Sequence, residues 1–136
     1  ILDHLSIVVS GLGDGDERRL IDNAMTSLAT IVQETGIGLL LVSHLKRPSG
    51  DKGHEEGATT SLSQLRGSHA IAQLSDMVLS LERNQQGDDP NLTTVRVLKN
   101  RFSGETGIAC HCLYTPETGR MTETNPEFIE TGVEEF

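Results

Sequence analysis

Between Asp16 and Gly36 apolar residues return at helical spacing: Leu20, Ile21, Met25, Leu28, Ile31 and Val32. Asp16 can cap such a helix, Glu17 suits its first turn and Gly36 offers a stop, so the pattern predicts a helix over 17–34 with these side chains facing a core. The run Ile37-Gly-Leu-Leu-Leu-Val42 follows at once. Its unbroken apolar character and short length predict a strand covered on both faces. Upstream, Leu5-Ser-Ile-Val-Val-Ser10 reads as the end of a β-branched strand, or a buried turn after one, broken by Gly11, Gly13 and Gly15. Strand, helix, strand in this order predicts a mostly parallel sheet with a right-handed crossover, and hence an α/β fold.

The remainder punctuates itself with turn residues. Residues 45–62 form a polar loop, long enough in a compact domain to be functional or mobile. Ser63 to Leu74 predicts a short helix or two turns broken at Gly67. Three segments alternate as strands do, over 76–82, 93–98 and 108–114. Turn-rich stretches at 85–91 and 101–107 separate them, which predicts an antiparallel extension of the sheet. From Glu123 onward come five glutamates and no base. That segment is predicted to be a disordered acidic tail, dividing the chain into 1–122 and 123–136.

Composition excludes several classes. No apolar run approaches the roughly 18 to 20 residues that span a bilayer, so no membrane partner is expected. There is no secretory leader pattern and no initiator Met; the natural N-terminus is expected upstream. With 3% aromatic residues the core must be aliphatic. The net charge of -9 argues against a surface that coats DNA indiscriminately, but leaves room for one basic loop. Cys110 and Cys112 are two apart, so on a strand both thiols face the same way; they read as reduced thiols rather than a disulfide or metal site. His54-Glu55-Glu56 lacks the second histidine of a zinc motif.

Four places can carry chemistry. Asp3 follows Ile1 and Leu2, and a carboxylate at the C-terminal end of a parallel strand lies where α/β sheets bind nucleotides and can hold Mg²⁺. Taken without context, the same residue reads first as a surface or capping aspartate. Ser43 and His44 end the neighbouring apolar run; His44 either faces that cleft as a phosphate sensor or is satisfied by backbone. Lys46, Arg47 and Lys52 lie on the polar loop, where cations suit contact with a phosphate backbone, although a solvated loop has the same composition. Lys99 and Arg101 at a strand end would point together at one phosphate, or simply charge an edge against pairing. No G-x-x-x-x-G-K-[ST] occurs, and the glycines at 11–15 lack the needed Lys and hydroxyl, so the chain is not expected to hydrolyse a nucleotide unaided.

The ordered set Ile1-Leu-Asp-His-Leu-Ser-Ile-Val-Val-Ser10, Ser43-His-Leu-Lys46, His54-Glu-Glu-Gly57, Leu65-Arg-Gly-Ser68, Gln73-Leu-Ser-Asp76, Leu81-Glu-Arg-Asn-Gln-Gln-Gly-Asp88 and Leu98-Lys-Asn-Arg-Phe-Ser-Gly104 resembles the helicase domain of the T-seven-like phage helicase-primases. More distantly it is similar to the bacterial replicative hexameric helicases. The resemblance covers about residues 1–122 and implies the C-terminal half of a RecA-like P-loop NTPase core. It implies that Asp3 is the Walker B aspartate for Mg²⁺, that His44 senses the γ-phosphate, and that Gln73 lies near the same switch. It further implies that Lys46 and Lys52 grip single-stranded DNA, with Arg47 an extra cation there. Arg101 with Lys99 would be the finger entering the next subunit's ATP or dTTP site, and Arg83 and Tyr114 would hold the base by stacking and cation–π contact. A homo-hexamer or heptamer follows, acting in the cytoplasm of a bacterial host. The acidic tail would dock on a replicative DNA polymerase.

Two rival readings stand beside this one. The chain could be a non-catalytic module that binds DNA or polymerase through its loop and tail. It could instead belong to a recombinase-type ATPase with the same sheet. A sheet missing its phosphate-loop strand exposes an edge and apolar faces, which predicts marginal stability or self-association.

Overall fold

The computed structural model describes residues 1–11, 16–48, 52–65, 67 and 69–126. These fall into two compact units, one of residues 1–46 and 61–76, the other of residues 47–60 and 77 onward. Glycines 13 and 15, Arg66, Ser68 and most of the acidic tail (127–136) lie outside the described residues.

The first unit is helical. Helix α1 spans Leu5–Ser10, α2 spans Glu17–Thr35 and α3 spans His69–Leu74, with a 3₁₀ turn at Leu62–Gln64. The Asp16 side chain accepts from the Arg18 N–H, and Gly36 closes α2 in the left-handed region at φ 69°, donating its N–H to Val32 O. Both ends of the predicted helix are therefore where its caps put them. Ile21, Ala24 and Met25 form its buried stripe, and the core is completed by Leu5, Val9, Leu65 and Ile71. Each fully buried side chain of this size contributes about 1.5–3 kcal/mol. The stripe is narrower than the apolar pattern implied: Ile31 is 46% exposed, and Leu20, Leu28 and Val32 are half-buried.

Two expectations about strands fail here. Leu5–Ser10 is helix α1, not a strand end. Leu5 and Val9 stand four apart and both enter the core, so the 3.6-residue period prevails over the β-branched composition; Ile7 and Val8 point outward. The run Ile37–Val42 forms a single parallel bridge, Leu2 to Leu41, rather than a strand covered on both faces. Leu2 N–H donates to Leu40 O at 2.8 Å and Val42 N–H to Leu2 O at 3.0 Å. Ile37, Leu40 and Val42 remain 51%, 60% and 40% exposed.

The second unit is an antiparallel meander. Strands β1 (Met77–Arg83), β2 (Leu92–Asn100), β3 (Gly107–Thr115) and β4 (Arg120–Thr124) lie in sequence order. One row of facing residues runs Arg83, Thr93, Cys112, Glu123; the next runs Glu82, Thr94, His111, Thr124. Because successive residues on a strand point to opposite faces, these rows occupy the two sides of the sheet. The first three strands are the predicted ones. β4 was not anticipated, because Arg-Met-Thr-Glu-Thr is short and polar. The turn before it holds Gly119 at φ 68°, with its N–H bonded to Thr115 O at 2.9 Å. Glu123 and Thr124, expected in the disordered tail, are its last two residues. Residues 55 and 56 pair with the chain just past the end of β1, through a Glu56–Asn84 bridge and the Gln85 N–H donating to Glu55 O at 2.9 Å.

Candidate nucleotide and DNA sites in the two units

In the first unit, the Leu2–Leu41 bridge acts as a clamp. Leu5 N–H donates to Val42 O at 3.0 Å, so the segment 2–5 is tied to 40–42 at both ends. His4 and His44 each lie two residues beyond a clamped position. Their rings meet edge to face, centroids 4.2 Å apart and planes inclined by 78°. His4 is half-buried and its Nδ1 is buried without a hydrogen bond among the described residues. His44 and Asp3 are exposed. The clamp thus brings Asp3 and His44, predicted to share a cleft, to the same end of one bridge.

Asp3 makes no hydrogen bond among the described residues, and no three His, Cys, Asp or Glu side chains among them converge as a metal cage. One exposed carboxylate fits Mg²⁺ shared with nucleotide phosphates and water, which is the usual manner of holding that ion. Gln73 is exposed on α3. Lys46 is exposed, with its backbone N–H bonded to Gln64 O at 2.7 Å, and lines a small cleft with Arg18, Ser63 and His69.

Arg47 and Lys52 belong to the second unit and are exposed. There, Arg83 and Tyr114 stand on the same face of the sheet and are both bound to Asn91. Arg83 Nη2 donates to Asn91 Oδ1 at 3.2 Å, Arg83 Nε donates to Pro90 O, and the Tyr114 N–H donates to Asn91 O at 3.0 Å. One departure concerns Lys99 and Arg101. Lys99 is on β2, but the strand ends at Asn100 and Arg101 opens the following turn, so the two do not share a strand face. The cause is Asn100, whose Oδ1 accepts from the N–H groups of Phe102 and Ser103 at 3.0 and 3.3 Å, turning the backbone at that point. Arg101 is exposed on this turn.

Sequence reasoning missed a polar cluster on the other face of the sheet. Arg96 Nε donates to both carboxylate oxygens of Glu82 at 2.9 and 3.1 Å, and Thr60 donates to Glu82 Oε1 through its N–H at 2.8 Å and its hydroxyl at 2.6 Å. Burial alone pushes the Glu82 carboxyl up, but the hydrogen bonds from Arg96 and Thr60 together bring it below the usual carboxylate range. Glu82 and Arg96 line a polar cleft of about 430 Å³ with Gly57, Asn84, Asp88 and Thr94. The cluster's one sequence signal was a charge inside each of two alternating strands.

Residues 1–123 match the DnaB-like helicase C terminal domain. The chain belongs to that family. It is 54% identical over 119 residues to a DNA helicase/primase of Enterobacteria phage T3, a match covering 88% of this chain and 21% of that protein. Two solved structures share the fold at 20% identity. One is described as an ATPase domain, with a TM-score of 0.66 over 84% of this chain and 39% of that one. The other is a DnaB-like replicative helicase studied with its interactions with primase, with a TM-score of 0.67 over 84% of this chain and 27% of that one. The fold is accordingly α/β and matches the RecA-like ATPase domains of replicative helicases. The recombinase-type reading gives way to the helicase family. No helix among the described residues is long and apolar enough to cross a membrane.

Proposed function

We propose that this chain supplies part of the motor of a ring-shaped, NTP-driven helicase that moves along single-stranded DNA in the cytoplasm of a phage-infected bacterium. The observation that carries this reading is the clamp that sets Asp3 and His44 at one end of the Leu2–Leu41 bridge, in a chain of the DnaB-like helicase family. Asp3 would hold Mg²⁺, which neutralises charge on the β- and γ-phosphates of bound ATP or dTTP. His44 would feel the γ-phosphate and pass its presence to Lys46, two residues on, and so to Lys52 and Arg47 on the DNA-contacting loop. Gln73 would support that switch. Arg83 and Tyr114, both bound to Asn91, would hold the base. Arg101, aided by Lys99, would reach the site of the neighbouring subunit. The 136 residues contain no phosphate-binding loop, and hydrolysis would belong to a longer protein in which residues 1–122 of this chain form the C-terminal part of the motor domain. The acidic residues 123–136 would serve as the contact with a DNA polymerase.

The test is subunit mixing in the full-length protein. Asp3→Asn and Arg101→Ala should each lower hydrolysis on single-stranded DNA by about 10³-fold. Mixed rings of the two dead variants should regain activity, because some interfaces then pair an intact Asp3 with an intact Arg101. Unimpaired single variants, or no recovery from folded mixed rings, would refute the shared-site reading.

A further inference from the structure

We infer that His4 is a positioning residue for His44: it holds the sensor ring in one orientation by edge-to-face packing. This inference rests on the functional reading above and adds a residue to it.

A sensor must present a ring nitrogen in a fixed direction. His44 is exposed at the end of an isolated bridge, where neither burial nor a regular strand restrains its side chain. Its ring packs against His4, at 4.2 Å and 78°. That geometry directs the positive edge of one ring at the face of the other and disfavours the alternative rotamers. His4 is suited to be the fixed partner. It precedes Leu5, which is 2% exposed in the core and whose N–H is bonded to Val42 O at 3.0 Å. It also follows Asp3 directly, so the residue that orients the sensor is covalently joined to the proposed metal-holding carboxylate. A displacement of Asp3 by metal–nucleotide would reach His44 through a single ring contact.

The chemistry of the His4 ring points the same way. Its Nδ1 is buried with no hydrogen bond among the described residues. The contact with His44 therefore draws on the shape of the ring and not on a hydrogen bond from Nδ1. Phenylalanine, with a ring and no nitrogen, should then replace it, whereas a side chain without a ring should not.

The experiment measures DNA-stimulated and DNA-independent hydrolysis in the full-length protein, with His4→Phe, His4→Leu, His44→Ala and the double variant His4→Leu/His44→Ala. His4→Leu should lower DNA-stimulated kcat about three- to tenfold, with KM for the nucleotide changed less than about twofold. His4→Phe should stay within about twofold of the parent. The double variant should be no worse than His44→Ala alone, since a residue acting only through His44 has nothing left to position. Additive losses, or a His4→Phe variant as impaired as His4→Leu, overturn the inference. If His44→Ala itself leaves DNA stimulation intact, it is the sensor reading that fails, and the two failures are told apart. Thermal melting and ring assembly accompany each variant; should His4→Leu not fold, the His4→Phe result and its double variant with His44→Ala decide the matter.

Discussion

Arg96 on β2 and Glu82 on β1 are locked in a fork, Nε to both carboxylate oxygens and Nη2 to Oε2 at 3.1 Å, while Thr60 donates twice to the same carboxylate from outside the sheet. The Glu82 side chain is only 10% exposed. In glutamine the amide oxygen can still accept from Thr60, but an amide N–H then faces the half-buried Arg96 guanidinium where Oε2 accepted, and the charge that paired it is gone. Glu82→Gln is expected to cost about 2–3 kcal/mol in urea unfolding. A loss below about 0.5 kcal/mol, the level of an exposed surface pair, would refute the structural role.

The same carboxylate sets a pH dependence. Glu82 is held below its ordinary range in the folded chain, so the unfolded state binds its proton first as pH falls. The stabilisation is therefore complete above the ordinary glutamate pKa and is lost as pH drops through the lowered folded value. Denaturation midpoints measured from pH 7 downward should fall less steeply in Glu82→Gln than in the parent. Parallel curves would count against the assignment.

Asn100 shapes the turn that carries Arg101. Its Oδ1 accepts from two backbone N–H groups and its Nδ2 donates to Ser103 Oγ at 2.8 Å. Asn100→Ala removes all three bonds, while Arg101 itself is untouched. In the full-length protein we expect hydrolysis on single-stranded DNA to fall about tenfold with assembly retained, the scale of a misplaced rather than a deleted catalytic group. Asn100→Asp, which keeps the two acceptor bonds, should retain more activity than Asn100→Ala.

Cys110 and Cys112 place their sulfurs 3.9 Å apart on one face of β3. Burial first, and then the Cys112 thiol and the Glu123 carboxylate, push the Cys110 thiol up. At neutral pH less of it is thiolate than in a free peptide. Cys110 should thus be alkylated by iodoacetamide more slowly than a cysteine in the unfolded chain, with the difference shrinking as pH rises. Peptide mapping by mass after timed labelling checks it; equal rates would refute the shift.

Gly36 has φ 69° and open space where a Cβ would stand. Alanine there meets no clash, so the cost is that of the left-handed backbone alone, about 1 kcal/mol. Gly36→Asn should cost less, since asparagine tolerates that region better. Thermal melts of the two variants separate them.

Much of the fold was legible because it depends on neighbours in sequence. Asp16 and Gly36 bound α2 through hydrogen bonds spanning two to four residues, and alternation marked β1 to β3. Polar β4 lacked the apolar alternation and was invisible. Leu5–Ser10 misled because β-branched residues favour strands in general, whereas here two of them lie between Leu5 and Val9, the pair that enters the core. At the candidate site, Asp3 and His44 were legible as residues at the ends of neighbouring apolar runs. His4 was not, since nothing in Leu-Asp-His-Leu indicates which ring it will meet.

By itself the sequence determined the capped helix, the alternating strands, the turns and the helicase family, all of which follow from residue order and short-range backbone chemistry. Only the tertiary structure decided that His4 meets His44, that Thr60 and Arg96 converge on Glu82, and that Arg101 leaves the strand which carries Lys99. The first two join residues 14 to 40 positions apart, brought together by packing and sheet register. The third turns on which donors the Asn100 side chain captures once β2 is laid down, an outcome the order Lys-Asn-Arg leaves open.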